Sequence, residues 1–334
     1  MPATVRTLKL MRTDRPPQVT AAAAVVMDAA SGQVVYEKNS HAHRANASTT
    51  KMMTALLALE NAKLDDVVTA GPDVKVEPTI IGLDPGDQLT VEQLLYGLLL
   101  PSGNDAAIAL AEYVGGSIPR FAAMMNAKAA QLGMKDSHFV TPNGLDAEGH
   151  YSSAYDLALL ARAAMQNPVF EKIVATKEYR VTGPVKWVFK NNNRMLDSYP
   201  GADGIKTGYT DNAGRCLVSS ATRKGRRAIA VVLDSVDLWG DSSALLDYFF
   251  ASYSWETLRV ADVPLGDYGR NGGLRRTVAR SEAEIAFPIW QRTYLRWFFS
   301  MSSSSSREDG AVGAVSYYLF GKKVAEIELY DAGG

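Results

Sequence analysis

The sequence predicts a mixed α/β fold, α+β in arrangement, followed by a small all-β domain at its C-terminal end. Strand-like runs occur near residues 22–38 and again near 216–235, the segment between them is helical in its periodicity, and beyond Val260 the pattern shortens to brief alternating runs. A chain of 334 residues with 47% hydrophobic content can bury a substantial core, and its length favours two domains. The expected division is a tail at 1–20, a main domain at 21–258 and a β-rich domain at 259–334.

Residues 1–20 are polar and contain Arg15-Pro16-Pro17, which disfavours helix, so the fold is expected to begin near Ala21. AAAAVVMD and QVVYEKN, separated by Ser31-Gly32, predict a β-hairpin over 22–38 because Gly32 tolerates positive φ. From Ser48, apolar residues at Met52, Ala55, Leu56 and Leu59 follow the spacing of a buried helical face, which puts Ser48 at a helix N-terminus. Further helices are expected at 91–99, 104–114, 119–132 and 153–166, the first introduced by Pro85-Gly86 and the cap residue Thr90. After Pro168 alternation predicts strands in EYRVTGPVKWVFK, CLVSSAT and AIAVVLDS, the last two joined by the basic turn RKGRR, and a helix from about Ser242 to Tyr253. The sheet is therefore expected to join N- and C-terminal strands. Beyond Val260, LRRTVA, RTYLRWFF, VSYYLF and VAEIELY read as strands, and the polar run Met301 to Ser306 reads as a loop.

Composition excludes several functions. Lysine plus arginine (35) nearly balance aspartate plus glutamate (36), so no global field draws in nucleic acid or an anionic surface. One cysteine excludes an internal disulfide framework, and four histidines leave little for a metal cage, so no metal or other cofactor is expected. The N-terminus lacks the apolar core of a signal peptide, and no stretch approaches the ~20 apolar residues of a membrane span.

The chemistry resides in three short elements. Ser48-Thr49-Thr50-Lys51 places a hydroxyl and an amine on one helix face, within side-chain reach. A serine hydroxyl needs a base to become a nucleophile, and a lysine is one only when burial or another cation lowers its pKa. On its own the tetrad reads first as a capped helix start with an exposed lysine, and the two further elements reverse that reading. Ser102-Gly103-Asn104 adds a second hydroxyl for proton transfer and an amide to hold substrate backbone. Lys206-Thr207-Gly208 adds a cation that would lower the Lys51 pKa and attract a terminal carboxylate, and Gly208 would let a peptide approach a strand edge.

S-x-x-K, S-x-N and K-T-G in this order resemble the signature of penicillin-binding proteins and serine β-lactamases. The phrases ASTTKMMTALLALE, LTVEQLLYGLLLPSGNDAAIALAE, SHFVTPNGLD, YSSAYDLALLAR, GADGIKTGYTDNAGRCLVSSATRKGRRAIAVVL and VSYYLFGKKVAEIEL resemble the low-molecular-mass members, the serine D-alanyl-D-alanine carboxypeptidases. The resemblance implies a serine β-lactamase/transpeptidase-like domain, with an antiparallel sheet flanked by helices. It implies Ser48 as the acylated nucleophile, Lys51 as its base, Ser102 and Asn104 as the second element and Lys206, Thr207 and Gly208 as the third, with an oxyanion hole from the backbone N–H groups of Ser48 and Tyr209. The implied substrate is the terminal D-Ala-D-Ala bond of a peptidoglycan stem peptide, outside the cytoplasm. β-Lactams should acylate Ser48 and leave slowly, since no ExxLN sequence of the class A β-lactamase kind is present. Contact with a membrane is expected only from an anchor beyond these residues. A D,D-endopeptidase, a β-lactamase or esterase on the same fold, and a catalytically idle wall-binding protein are the competing expectations. Gly240-Asp241 stands where some relatives would offer an arginine to the substrate carboxylate, leaving Lys206 and Thr207 for that role.

The remaining candidates read as structural. Cys216 lies in a strand-like run with no cue for a partner histidine and is expected to be buried. His41 and His43 lack a carboxylate or cysteine cluster nearby in sequence and read as surface histidines. His138 and His150 flank FVTPNGLDAEG, a turn-rich loop expected to border the cleft, and neither is given a proton-transfer role. Trp290, Tyr294, Trp297, Phe298 and Phe299 are expected to form the core of the β domain.

Overall fold

The chain is described here by a computed structural model covering residues 16–181, 187–258, 264–265, 275–279, 283–288, 294–301 and 311–331. It divides into two units, Pro16–Phe250 and a second running from Ala251.

In the first unit, β1 (Ala23–Asp28) and β2 (Val34–Lys38) form the expected hairpin. A short 3-10 turn, Ala47–Thr50, leads into α1 (Lys51–Asn61). A two-stranded ribbon, β3 (Val67–Thr69) and β4 (Gln88–Thr90), precedes α2 (Val91–Leu99), α3 (Asn104–Gly115), α4 (Ile118–Gln131), α5 (Ala154–Ala164) and α6 (Pro168–Ala175). There follow a second small ribbon of β5 (Glu178–Arg180) and β6 (Val188–Lys190), the single turn α7 (Met195–Ser198), the long strands β7 (Ala202–Thr210), β8 (Gly214–Arg223) and β9 (Arg226–Leu233), and α8 (Leu238–Ser252).

The main sheet has the order β2-β1-β9-β8-β7 and is antiparallel throughout. Every residue of β1 is buried, as a central strand covered on both faces requires, and β9 is buried from Ala228 onward. The RKGRR segment makes a tight hairpin between β8 and β9, with both Lys224 (φ 52°) and Gly225 (φ 76°) left-handed. This leaves β7, which carries Lys206-Thr207-Gly208, at the edge of the sheet.

Helix α1 is buried along its first eight residues, Lys51 to Ala58, and packs against α2, α3 and α5. A helix enclosed on several sides has no polar face, which is why Lys51 enters the interior with it. α2 begins with a capping box, Thr90 accepting from the Gln93 N–H and Gln93 accepting from the Thr90 N–H.

Several expectations change. The fold starts before Ala21, because Val19 is buried, its carbonyl accepts from Lys38 Nζ, and Thr20 bonds Asp241. The segment after Pro168 is first a helix, capped by Asn167 with proline in its first turn, where the missing N–H does no harm. EYRVTGPVKWVFK forms a separate ribbon rather than a strand of the main sheet, and residues 182–186 lie outside the described residues. α8 starts one turn earlier than Ser242, with Asp237 accepting from the Gly240 N–H.

The second unit holds a five-stranded antiparallel sheet of order β11-β12-β16-β15-β14 and a two-stranded pair. Its strands are β10 (Tyr253–Leu258), β11 (Pro264–Leu265), β12 (Arg275–Ala279), β13 (Ala283–Pro288), β14 (Leu295–Met301), β15 (Ala311–Leu319) and β16 (Lys322–Asp331), with β10 paired to β13. Its core comprises Phe287, Val315, Tyr317, Ile327 and Leu329. The aromatic cluster is not that core: of its four described residues Tyr294, Trp297 and Phe298 are exposed and Phe299 packs against it, while Trp290 lies outside the described residues. Neighbouring residues of a strand face opposite sides of the sheet, so Trp297 and Phe298 cannot share one core. Of the run Met301 to Ser306, Met301 belongs to β14 and 302–306 lie outside the described residues.

Asp241 ties the start of the fold to α8. Its carboxylate accepts from Thr20 N (2.9 Å), Thr20 Oγ1 (2.7 Å), Ala21 N (2.8 Å) and Ser235 Oγ (2.7 Å). Burial alone would raise its pKa, but the hydrogen bonds from Ser235, Thr20 and Ala21 outweigh burial and hold it below the ordinary value. A lowered folded-state pKa contributes stability above the unfolded pKa, lost as pH falls through the folded value. Asp241→Ala should lower the unfolding free energy by about 2 to 3 kcal/mol at neutral pH, with a smaller deficit in acid, as read by urea titration.

Candidate active site

Ser48 sits in the Ala47–Thr50 turn, and that turn is gripped from two directions. From the sheet edge, Gly208 approaches so closely that a Cβ there would stand 3.0 Å from Ser48 N and 3.1 Å from Ala47 Cβ. The side on which a Cβ would stand thus faces the chain's own turn, while Gly208 also lines the cleft. From the other direction comes the 140–150 loop, where Gly144 (φ 81°) lies against Ala47. A Cβ on Gly144 would meet the Ala47 carbonyl oxygen at 1.9 Å. Buried Asn46 braces the turn from within, donating to Thr50 Oγ1 (2.8 Å) and accepting at its carbonyl from Thr49 Oγ1 (2.6 Å).

Lys51 follows in the first turn of α1 and is fully buried. Its Nζ lies 2.7 Å from Ser48 Oγ, 2.6 Å from Asn104 Oδ1 and 2.7 Å from the Asn143 carbonyl oxygen. Burial, then the nearby Lys206, push its pKa well below 10.5, against an opposing pull from Asp105. The Asn104 amide orientation is set by its other end, since Nδ2 donates to the Pro78 carbonyl and Oδ1 must face Lys51. A neutral amine has two N–H groups and one lone pair. Asn104 Oδ1 and Asn143 O can only accept, so they take both N–H groups, and the lone pair is left facing Ser48 Oγ. In this state the Ser48 hydroxyl donates to the amine.

Asn104 is therefore not a free amide for substrate backbone: both its ends are engaged inside the protein, and it is 3% exposed. Lys206 is likewise enclosed. It projects from β7, donates to the Thr207 carbonyl at 3.2 Å, and has its pKa lowered by burial to about 7. Ser102 has a left-handed φ of 72°, and its buried hydroxyl has no hydrogen-bond partner. The loop facing it is held by Asp105, whose carboxylate accepts from the backbone N–H groups of Ile81 (3.0 Å), Gly82 (2.9 Å) and Leu83 (3.0 Å).

These groups open onto a cleft of about 820 Å³ lined by Ser48, Ser102, Thr207, Gly208 and Tyr209. The structure thus brings together all eight residues singled out in the sequence: Ser48 and Asn104 on the Lys51 amine, Ser102 on the cleft wall, and Lys206, Thr207, Gly208 and Tyr209 along β7. It adds Arg194 and Arg215 to the cleft wall, two exposed guanidinium groups, the second donating to the Val236 carbonyl at 3.4 Å. Arg215 is the cross-strand neighbour of Tyr209 and so shares the sheet face of Tyr209 and Thr207. No periodicity marks a surface arginine for such a place. Asn143 and His150 were also missed as site residues: the first acts through its main-chain carbonyl, which sequence does not distinguish, and the second lies beneath the turn.

Cys216 is buried, which pushes its thiol up to about 11. His41 and His43 are exposed, as expected, but they do have a carboxylate: Asp136 lies 2.8 Å from His41 Nδ1 and 3.5 Å from His43 Nε2. Among the described residues no group of three or more His, Cys, Asp or Glu is arranged to hold a metal ion, and no helix is long and apolar enough to cross a membrane.

An acceptor-locked lysine beside a serine, on an α/β domain with a free sheet edge, defines the class of active-site-serine acyl-transfer proteins. Comparison with known proteins narrows this. A family described as D-alanyl-D-alanine carboxypeptidase matches residues 10–237. The D-alanyl-D-alanine carboxypeptidase DacF of Bacillus subtilis is 40% identical over 249 residues, 71% of this chain and 64% of that protein. DacA of Escherichia coli is 38% identical over 341 residues, 94% of this chain and 83% of that protein. The crystal structure of DacD from Francisella tularensis superposes with a TM-score of 0.79 at 28% identity, covering 96% of this chain and 95% of that one. The chain belongs to the D-alanyl-D-alanine carboxypeptidase family. It spans 59% to 64% of the length of DacF and of the DacD proteins of Salmonella typhimurium and Escherichia coli.

Because a Cβ on Gly208 would press on Ser48 N and Ala47 Cβ, Gly208→Ala must shift the Ser48 turn slightly. Acylation by a penicillin should slow by roughly tenfold to a hundredfold, with a circular dichroism spectrum like that of the wild type.

Proposed function

We propose that this chain is a serine-type D-alanyl-D-alanine carboxypeptidase that removes the terminal D-alanine from peptidoglycan stem peptides outside the cytoplasm. The observation that carries this reading is the Lys51 amine, buried, lowered in pKa and held by two obligate acceptors so that its lone pair faces Ser48.

In this reading Ser48 Oγ attacks the carbonyl between the last two D-alanines as its proton passes to Lys51. The resulting oxyanion is met by the backbone N–H groups of Ser48, whose N lies beside Gly208, and of Tyr209. Lys51 then returns its proton to the departing amine through the unpartnered hydroxyl of Ser102, and free D-alanine leaves. Water, deprotonated by the same amine, attacks the acyl-enzyme and regenerates Ser48. The substrate lies along the free edge of β7 as an added strand, passing Thr207 and Tyr209. Its terminal carboxylate is attracted by Lys206 and Thr207 and by Arg215, whose exposed guanidinium supplies charge that buried Lys206 cannot present directly. Asp241, at the position where an arginine would be sought, is turned inward and committed to Thr20, Ala21 and Ser235. A β-lactam acylates Ser48 as a mimic of the dipeptide.

Incubation with a stem pentapeptide should release D-alanine, and a fluorescent penicillin should label the wild type and leave Ser48→Ala unlabelled. Release of D-alanine or labelling at wild-type level by Ser48→Ala would remove Ser48 from its role; cleavage of crosslinked dimers without D-alanine release would make the chain an endopeptidase.

A further inference from the structure

Of the three carbonyl or hydroxyl oxygens around the Lys51 amine, the Asn143 carbonyl belongs to none of the three sequence elements. It comes from the 140–150 loop, and the question is what holds that loop to the Ser48 turn. His150 is 8% exposed and lies between them. Its Nδ1 faces the backbone N–H groups of Val140 (3.0 Å) and Thr141 (3.2 Å), both of which can only donate. Nδ1 must therefore accept, and the ring proton must sit on Nε2. Nε2 then donates to Thr50 Oγ1 at 2.9 Å, on the Ser48 turn and one residue before Lys51. Thr141 Oγ1, 3.4 Å from Nδ1, gives its own proton to the Leu145 carbonyl and leaves the acceptor role of the ring undisturbed.

We propose that His150 is a positioning residue for acyl transfer: its neutral imidazole ties the 140–150 loop to the Ser48 turn and so holds the Asn143 carbonyl on the Lys51 amine. The proposal rests on the reading of Ser48 and Lys51 as nucleophile and base. Two further contacts run the same way, since Thr54 Oγ1 donates to the Pro142 carbonyl at 2.5 Å and Gly144 fits against the Ala47 carbonyl. These hold the loop at the residues on either side of Asn143, and His150 ties it at Val140 and Thr141, where the loop begins. Burial, and the nearby His138, push His150 down to about 4 against the opposite pull of Asp146, so the ring stays neutral where a cell-wall enzyme would work. A second ring proton would turn Nδ1 into a donor facing two donors.

The experiment uses fluorescent penicillin kinetics, which separate the noncovalent dissociation constant from the acylation rate constant, with thermal unfolding of each variant. Labelling of the wild type and not of Ser48→Ala is the first arm, and its failure overturns the reading of the site. Given that arm, His150→Leu should acylate tenfold to a hundredfold more slowly, with a dissociation constant within about twofold of wild type. His150→Gln carries one acceptor and one donor, is uncharged, and should stay within about threefold of the wild-type rate. Thr50→Val cuts the link from its other end and serves if His150→Leu fails to fold. Where both fold, the double variant should be no slower than the slower single one, because the two residues form one link. Wild-type acylation rates in His150→Leu or in folded Thr50→Val, a loss in His150→Gln equal to that in His150→Leu, or a loss confined to the dissociation constant, would overturn the proposal.

Discussion

A fully buried lysine amine that must stay uncharged is the constraint on which the rest of this structure depends. An ammonium at the Lys51 position would carry a desolvation penalty of several kcal/mol, and the three oxygens around it are uncharged. Losing the proton removes that penalty and creates a base. The fold then has to aim the lone pair, and it does so by exclusion: two acceptors that cannot donate consume the two N–H groups.

The acceptors come from different parts of the chain, and each has its own support. Asn104 is oriented by the Pro78 carbonyl, and the loop bearing Pro78 is held by the carboxylate of Asp105, on the residue next to Asn104. Asn143 is carried by a loop that fits the Ser48 turn only because residue 144 has no side chain. The third wall is β7, where a side chain at residue 208 would crowd Ser48 N and Ala47 Cβ. Lys206, on the same strand, adds the repulsion that lowers Lys51 further, while its own burial lowers it to about 7. The cleft wall itself carries the exposed guanidinium groups of Arg194 and Arg215.

Much of this was legible in the sequence because it is written in side-chain identity and local spacing. Ser48 and Lys51 lie three apart at a helix start, Thr90 caps the helix it precedes, and RKGRR makes the turn its glycine predicts. Three short elements in a fixed order pick out side chains that the fold brings together. What was not legible depends on tertiary placement. That Gly208 also leaves room for the Ser48 turn is not written in its identity, and Asn104 reads as a free amide but is used up at both ends. The Asn143 contribution is a backbone carbonyl, identical in every residue type. Trp297 and Phe298 read as core from composition, although adjacency on a strand forbids their sharing one. Asp241 and Asp136 found partners far away in sequence, Thr20 and the two histidines His41 and His43.

The most direct test of this account is an NMR titration of the Lys51 ε-carbon resonance, assigned by comparison with Lys51→Arg. The account predicts a midpoint well below the ordinary lysine value of 10.5, so that the amine is uncharged at the pH where acylation is fast. A midpoint at the ordinary value, with fast acylation of Ser48 persisting below it, would contradict it.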